Sequence, residues 1–112
     1  MDQPTYPLEV SVAEASALLA SGPGEALVLD VREPHELAIN HIVGAVHIPM
    51  REVPAQMHTL PRDRHLLVLC HHGYRSLRVT HYLRDQGFTA VSNIAGGIEA
   101  WAAEIDPAMR RY

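Results

Sequence analysis

Runs of consecutive apolar residues recur along this chain, and short polar segments separate them. Two of these runs, Ala26–Val31 and Leu66–Leu69, contain at most one charged residue each. Uninterrupted apolar runs of this length are typical of strands that are buried on both faces, as in parallel sheets. Shorter strands are predicted on either side of them. The predicted strands are Leu8–Val10, Ala26–Val31, Val46–Ile48, His65–Leu69 and Ala90–Ser92.

Helical patterns fill the segments between these strands. Ser11 and Glu14 have the S-x-x-E spacing of a capping box, which predicts a helix that continues to about Ala20 and is closed by Gly22 and Pro23. Because strands and helices alternate, we expect an α/β domain with a parallel sheet. The other predicted helices are Pro34 to about Asn40, about Arg51–His58, Ser76–Gln86, and one that follows Gly96–Gly97, includes Trp101 and ends before Pro107.

Cys70 is the only cysteine, and it comes directly after the apolar strand that ends at Leu69. A short polar loop and then a helical pattern follow it. A thiol between a strand and a helix faces backbone N–H groups and the positive end of the helix dipole, which stabilise a thiolate. A free cysteine is more often a small buried hydrophobic residue. The position of Cys70 favours the reactive interpretation.

The composition is that of an ordinary globular protein of 112 residues, 47% hydrophobic and 20% charged. We expect residues 1–112 to form one domain. A single cysteine excludes an internal disulfide and suits a reducing compartment. The first residues have no basic or long apolar stretch, so we expect neither a signal peptide nor a membrane span, and a cytoplasmic location. The formal charge of −4 argues against binding to nucleic acid or to an anionic membrane.

All nine basic residues are arginines, which excludes Schiff-base chemistry through lysine. Any anion site must therefore consist of arginine and backbone N–H groups. The eight histidines do not have the spacing of zinc ligands, and no second cysteine is available to complete a zinc site. We expect scattered surface histidines, no metal and no cofactor.

Polar residues follow two of the predicted strands at their carboxyl ends, the edge where parallel α/β sheets bind ligands. Asp30 and Arg32 lie at the end of one strand, and the loop that begins at Cys70 follows the other. If these strands are neighbours, both groups face one crevice. A structural ion pair between Asp30 and Arg32 is at least as favourable an interpretation as a direct catalytic role. The candidate site consists of Cys70, His71, His72, Gly73, Tyr74, Arg75 and Ser76, supported by Asp30 and Arg32.

The loop itself has the parts of an anion site. Its backbone N–H groups can point at the sulfur and at an anionic donor, as in a nest. Gly73 permits the backbone angle that a curled loop needs. Arg75 is predicted to face inward and to bind an oxyanion. His71 and His72 are interpreted as solvent-facing loop residues, and Tyr74 has no firm role.

Four segments of the chain form a series of motifs. Each segment is similar to a short pattern, and together they are distributed over residues 30–101 of the 112. They are Asp30–Glu36 (D-V-R-x-x-x-E), His41–Pro49 (G-H-I-x-G-A-x-N-I-P), Cys70–Ser76 (C-x-x-G-x-R-S) and Asn93–Trp101 (L-x-G-G-x-x-A-W). In this order they resemble the single-domain rhodaneses, the thiosulfate sulfurtransferase family. Asn40 stands where that family usually has glycine, and His47 where asparagine is common. Because asparagine tolerates left-handed backbone, we expect the turn at Asn40 to be retained.

The resemblance implies a three-layer α/β/α domain with a five-stranded parallel sheet in the order 1-5-4-2-3, which places the second and fourth strands side by side. It also implies a reaction. A Cys70 thiolate would take the outer sulfur of thiosulfate, or of a similar donor, and would pass it from a persulfide to a thiophilic acceptor such as cyanide or a thiol. The implied partners are a small-molecule donor and acceptor, and a protein acceptor is left open.

Three alternatives compete with this hypothesis. Phosphatases and arsenate reductases of the same architecture have five residues between cysteine and arginine, whereas only four separate Cys70 from Arg75. The shorter loop suits a single sulfur atom better than a phosphoryl group. A sulfur-carrier or regulatory module that docks on a partner protein is the main alternative, but the complete loop favours catalysis. A peroxide-sensing thiol is less favoured because no second cysteine is present to resolve a sulfenic acid.

Overall fold

The computed structural model describes residues 6–22 and 24–112. In these residues five strands alternate with five α-helices. The elements are β1 (Glu9–Val10), α1 (Val12–Ala20), β2 (Ala26–Asp30), α2 (Pro34–Leu37), β3 (Val46–His47), α3 (Val53–Gln56), β4 (His65–Leu69), α4 (Tyr74–Asp85), β5 (Val91–Ile94) and α5 (Gly97–Glu104).

The five strands form one parallel sheet in the order β1-β5-β4-β2-β3. This confirms the fold class and the strand order that the resemblance implied. β2 and β4 are neighbours, and Asp30 lies opposite Leu69 in their register. The N–H of Val31 then donates to the carbonyl of Leu69 at 2.9 Å. The ends of these two strands are therefore side by side, directly before Cys70.

The sheet is buried on both faces, and β4 is buried along its entire length. Because successive side chains of a strand point to opposite faces, alternate residues of β4 belong to two separate cores. The first core combines Leu66, Val68 and Cys70 with Val79 and Leu83 of α4, and the second combines Leu67 and Leu69 with Ile98 and Trp101 of α5. Each fully buried leucine or valine contributes about 1.5–3 kcal/mol. Cys70 thus continues the face of β4 that α4 covers.

The predicted start of α1 is confirmed in detail. The Ser11 hydroxyl accepts a hydrogen bond from the N–H of Glu14 at 3.0 Å, and the Glu14 carboxylate accepts one from the N–H of Ser11 at 2.9 Å. This reciprocal capping box satisfies two N–H groups that the helix itself leaves unpaired. The helix ends at Ala20, as predicted. Pro23, which was predicted to help close it, lies outside the described residues.

The predicted helix over residues 51–58 is wrong as a continuous element. The chain forms a 3₁₀ turn at Met50–Glu52, the single α-turn α3, and a second 3₁₀ turn at Met57–Thr59. Pro54 explains the break on the N-terminal side, because proline has no N–H to donate and is tolerated only in the first turn of a helix. Short apolar patterns of this kind do not distinguish one helix from three linked turns.

Other boundaries differ by a few residues. The prediction started α4 at Ser76, but Gly73 has left-handed backbone (φ +105°) and caps a helix that already begins at Tyr74. Strand β5 extends to Ile94, because its last residues pair with β1. Helix α2 ends at Leu37, earlier than the predicted end near Asn40.

The start of α5 lies against the backbone of the Cys70 loop. The N–H of Ile98 donates to the carbonyl of Cys70 at 2.9 Å, and the N–H of Glu99 donates to that of His71 at 3.1 Å. Gly97 makes this approach feasible: its φ is +61°, and a Cβ there would lie 2.4 Å from the carbonyl oxygen of His71. This close packing fixes the loop on the side opposite α4.

None of the helices within the described ranges is long and apolar enough to cross a membrane. The longest of them, α4, has 12 residues. A transmembrane helix needs about 20 predominantly apolar residues.

We expect Gly97→Ala to destabilise the protein more than Gly44→Ala. Both glycines have positive φ, but a Cβ at Gly44 meets no atom within 4 Å. Gly44→Ala should therefore show only the cost of left-handed backbone, about 1–2 kcal/mol. Gly97→Ala adds a steric conflict with the loop carbonyls, of about 1–3 kcal/mol. Urea denaturation measures both losses, and equal losses would contradict the close packing of α5 on the loop.

Candidate active site

Three hydrogen-bond donors surround the sulfur of Cys70. The backbone N–H of Gly73 lies 3.1 Å from Sγ, the N–H of Ser76 lies 3.4 Å from it, and the Ser76 hydroxyl lies 3.2 Å from it. Cys70 is only 1% exposed, and Ser76 is completely buried. Donors of this kind, at the first turn of a helix, stabilise an anionic sulfur. The predicted nest of loop N–H groups is present, although only two of its backbone N–H groups are within hydrogen-bond distance of Sγ.

Gly73 is placed where only glycine fits well. Its backbone is left-handed, and a Cβ would lie 3.2 Å from the backbone nitrogen of Gly96. Its carbonyl accepts a hydrogen bond from the side-chain amide of Asn93 at 3.1 Å. The prediction that Gly73 allows the loop to curl is confirmed, and the curl is what directs its N–H at the sulfur.

Arg75 pairs with a carboxylate, whereas the sequence predicted that it faces an anion site. Its Nη1 and Nη2 lie 2.7 Å and 2.9 Å from the two carboxylate oxygens of Glu36. About a third of the Arg75 side chain is exposed. The two hydrogen bonds raise the pKa of Arg75 and hold the pKa of Glu36 well below its usual range. Both groups are therefore charged throughout the neutral range, and the inward anion-binding role of Arg75 stays a prediction.

The carboxylate of Glu36 accepts hydrogen bonds from three residues, and sequence reasoning did not single it out. Besides Arg75, the N–H of Glu33 donates to Oε1 at 3.0 Å, and the hydroxyl of Tyr112 donates to Oε2 at 2.7 Å. Each oxygen thus accepts two hydrogen bonds, which saturates the carboxylate. Its only sequence signal was its position in the D-V-R-x-x-x-E motif.

Arg32 and Asp30 form a buried ion pair. Nε and Nη2 of Arg32 lie 2.8–3.2 Å from the carboxylate oxygens of Asp30, and both residues are completely buried. The remaining donors of Arg32 reach the side-chain and backbone oxygens of Asn40 and the hydroxyl of Tyr112. Burial opposes the charge, but the hydrogen bonds with Asp30 and Tyr112 raise the pKa of Arg32. None of these bonds reaches Cys70, so the pair ties the end of β2 to neighbouring loops.

The two positions that depart from the family pattern have structural roles around Arg32. Among residues 6–22 and 24–112 only glycines have positive φ, so Asn40 does not adopt the left-handed backbone from which retention of the turn was predicted. Asn40 instead accepts from Arg32 and donates to the carbonyl of Arg110 at 2.6 Å. A ring nitrogen of His47 lies 2.7 Å from the carbonyl of Arg32.

Tyr112 is the second residue of the site that sequence reasoning missed. Its ring stacks on that of His71, with centroids 3.8 Å apart and planes inclined by 15°. Its hydroxyl accepts from Nη1 of Arg32 at 2.9 Å and donates to Glu36. No local pattern pointed to this residue, because its contacts join positions that are 76 and 80 residues away in sequence.

His71 is not the solvent-facing loop residue that was expected. Its ring lies between those of Tyr112 and His72, and the two histidine rings are 3.9 Å apart. Burial, together with the charge of His72, lowers the pKa of His71 and favours its neutral form. His72 and Tyr74 are exposed, Tyr74 to 78%. These two residues are therefore available to contact an incoming molecule.

The fold also brings Glu99 near His71 and His72, with potential metal-ligand atoms within 4.8 Å of one another. The histidine rings are stacked with planes inclined by only 28°. Because nitrogen lone pairs lie in the ring planes, such rings do not converge on one ion at about 2 Å. Glu99 is also paired with Arg111 at 2.8 Å. This arrangement does not support a metal site, and the absence of a metal stays a prediction.

Comparison with known proteins agrees with this geometry. The rhodanese-like domain family matches residues 11–104. A thiosulfate sulfurtransferase GlpE of Pseudomonas entomophila is 39% identical over 92 residues, which is 82% of each protein. A sulfurtransferase of Allochromatium vinosum is 40% identical over 78 residues, covering 70% of this chain and 73% of the relative.

A solved structure shares the fold. The human single-domain sulfurtransferase TSTD1 superimposes with a TM-score of 0.78 at 32% identity, and the match covers 88% of this chain and 97% of the human one. The family match spans β2, β4 and the segment from Cys70 to Ser76, where the donors converge on the sulfur. The chain belongs to the rhodanese-like domain family, which includes the sulfurtransferases that it resembles.

Proposed function

We propose that the protein is a thiosulfate sulfurtransferase that carries sulfur on Cys70 as a persulfide. The observation that carries this proposal is the convergence of three donors on Sγ, from Gly73 and Ser76, at 3.1–3.4 Å. They stabilise the thiolate that must attack, and they do so without a general base. The thiosulfate sulfurtransferase activity named for the Pseudomonas relative supports the choice of donor.

The reaction has two balanced steps. The Cys70 thiolate attacks the outer sulfur of thiosulfate, the sulfur–sulfur bond of the donor breaks, and its electron pair leaves with sulfite. Cys70 then holds one additional sulfur as a persulfide anion. A thiophile such as cyanide attacks that outer sulfur, and the electron pair of the persulfide bond returns to Sγ as the thiolate. Cyanide becomes thiocyanate, and no external oxidant or reductant is consumed.

Access to the sulfur requires movement of the side chains around it, since Cys70 is almost completely buried. Arg75 is the charged group of the loop that is partly exposed. Its guanidinium offers planar donors suited to an oxyanion of the donor molecule. The acceptor is a small thiophile in this proposal, and a reducing compartment such as the cytoplasm would keep the lone thiol active.

Incubation with thiosulfate should produce a protein species that is heavier by one sulfur atom. Cyanide should remove this sulfur and release thiocyanate, because the persulfide is the intermediate of both steps. Intact mass spectrometry measures the first change, and a colorimetric thiocyanate assay measures the second.

The matched variant is Cys70→Ser, which should gain no sulfur and produce no thiocyanate. Turnover by Cys70→Ser would refute the proposed mechanism. An aryl phosphate provides the control for the alternative chemistry, and we expect no hydrolysis of it. Hydrolysis of the aryl phosphate without sulfur transfer would contradict this proposal and indicate phosphatase activity.

Ser76→Ala should slow persulfide formation about 10–100-fold. A hydrogen bond to a charged group contributes about 1.5–3 kcal/mol, and the substitution removes the hydroxyl that lies 3.2 Å from Sγ. Stopped-flow measurement of sulfite release gives the rate. Thr80→Val is the control, because Thr80 is also buried in α4 but its hydroxyl donates to the carbonyl of Ser76 and not to the sulfur. Equal losses in both variants would attribute the effect to the stability of α4.

A further inference from the structure

The Glu36 carboxylate holds Arg75 in the structure. Two of its four hydrogen bonds come from Arg75, one from the N–H of Glu33 and one from the Tyr112 hydroxyl. If Arg75 binds an anionic sulfur donor, as the proposed function requires, a second negative charge approaches this carboxylate. Glu36 occupies two of the five N–H donors of Arg75, and repulsion between the two anions favours a guanidinium that turns from Glu36 toward the donor.

The turn of Arg75 leaves Glu36 with two donors. Glu36 is about nine-tenths buried, so a charge there needs hydrogen bonds to remain stable. The N–H of Glu33 is fixed in the backbone and reaches Oε1 only. For Oε2 the remaining donor among the described contacts is Tyr112. The free-energy cost of moving Arg75 away from Glu36 thus depends on the Tyr112 hydroxyl.

The hydrogen atom of the Tyr112 hydroxyl can point to only one of its two hydrogen-bond partners. Arg32 can only donate, and its Nη1 points at the Tyr112 oxygen at 2.9 Å. The Tyr112 hydrogen must therefore point to Glu36. Burial raises the pKa of Tyr112 to about 12, which keeps this hydrogen in place at neutral pH. Stacking on His71 holds the ring in position.

We propose that Tyr112 is a positioning residue that sets the affinity for anionic sulfur donors, because its hydroxyl stays hydrogen-bonded to the Glu36 carboxylate when Arg75 turns to the donor. The inference rests on the proposed function and adds a determinant of substrate affinity to it. Tyr112 does not touch the reacting sulfur. Its effect is transmitted through Glu36 to Arg75.

Tyr112→Phe is the direct test, since it removes the hydroxyl and keeps the stacking ring. We expect the KM for thiosulfate to rise about ten-fold while kcat changes less than about two-fold, because donor binding and not the attack on sulfur is affected. A loss of structural integrity would lower kcat instead. A fall in kcat at unchanged KM would overturn the proposal.

A double-mutant cycle with Glu36→Gln tests the route of the effect. Glu36→Gln removes the charge that holds Arg75, so adding Tyr112→Phe should then change the KM less than about two-fold. The same ten-fold rise in both backgrounds would show that Tyr112 acts without Glu36, and the proposal would be wrong.

A binding measurement separates this inference from the proposed function. Cys70→Ser cannot form a persulfide, and thiosulfate that binds it should raise its unfolding temperature. The shift should shrink when Tyr112→Phe is added, and Cys70→Ser with Arg75→Gln gives the nonspecific salt effect. A shift that Tyr112→Phe leaves unchanged, or no shift above that of the Arg75→Gln background, overturns the inference. Absence of sulfur transfer in the wild type together with a shift that depends on Tyr112 would refute the proposed function and support the inference.

Discussion

The parallel pairing of β2 with β4 is the interaction on which the site depends. Five register pairs, from Ala26 opposite His65 to Asp30 opposite Leu69, fix the two strands against each other. A slip by one residue would exchange the faces of every side chain in the shifted strand. Cys70 would then turn away from α4, and its sulfur would lose the donors of Gly73 and Ser76. Because alternate residues of β4 pack into two different cores, such a slip would disrupt the packing of both.

The charges at this edge of the sheet largely neutralise one another. Asp30 pairs with Arg32, Glu36 pairs with Arg75, and the Tyr112 hydroxyl bridges the two pairs. Among the described residues, the donors directed at Sγ are therefore two backbone N–H groups and the Ser76 hydroxyl, at the start of α4, rather than these paired cations. Pre-oriented dipoles of this kind act without reorganisation during a reaction.

Sequence reasoning was most successful where structure is local. The apolar runs predicted the two central strands, the capping box predicted α1, and the motif around Cys70 predicted the loop with Gly73 at its turn. The strand order came from the family resemblance and was correct. Glu36 and Tyr112 were missed because their importance arises only when distant segments meet. The role of Asn40 was misjudged for the same reason, since its side chain and not its backbone angle is used.

The burial of Cys70 has a consequence for oxidation between molecules. An intermolecular disulfide requires the Cβ atoms of two cysteines to approach to about 3.5–4.5 Å. Two folded copies cannot reach this distance when the thiol is 1% exposed and enclosed by its own loop. While the side chains around it stay in place, the lone cysteine is thereby protected from cross-linking of chains. A macromolecule that exchanges sulfur with Cys70 would have to carry its own sulfur on a narrow, protruding chain segment or side chain.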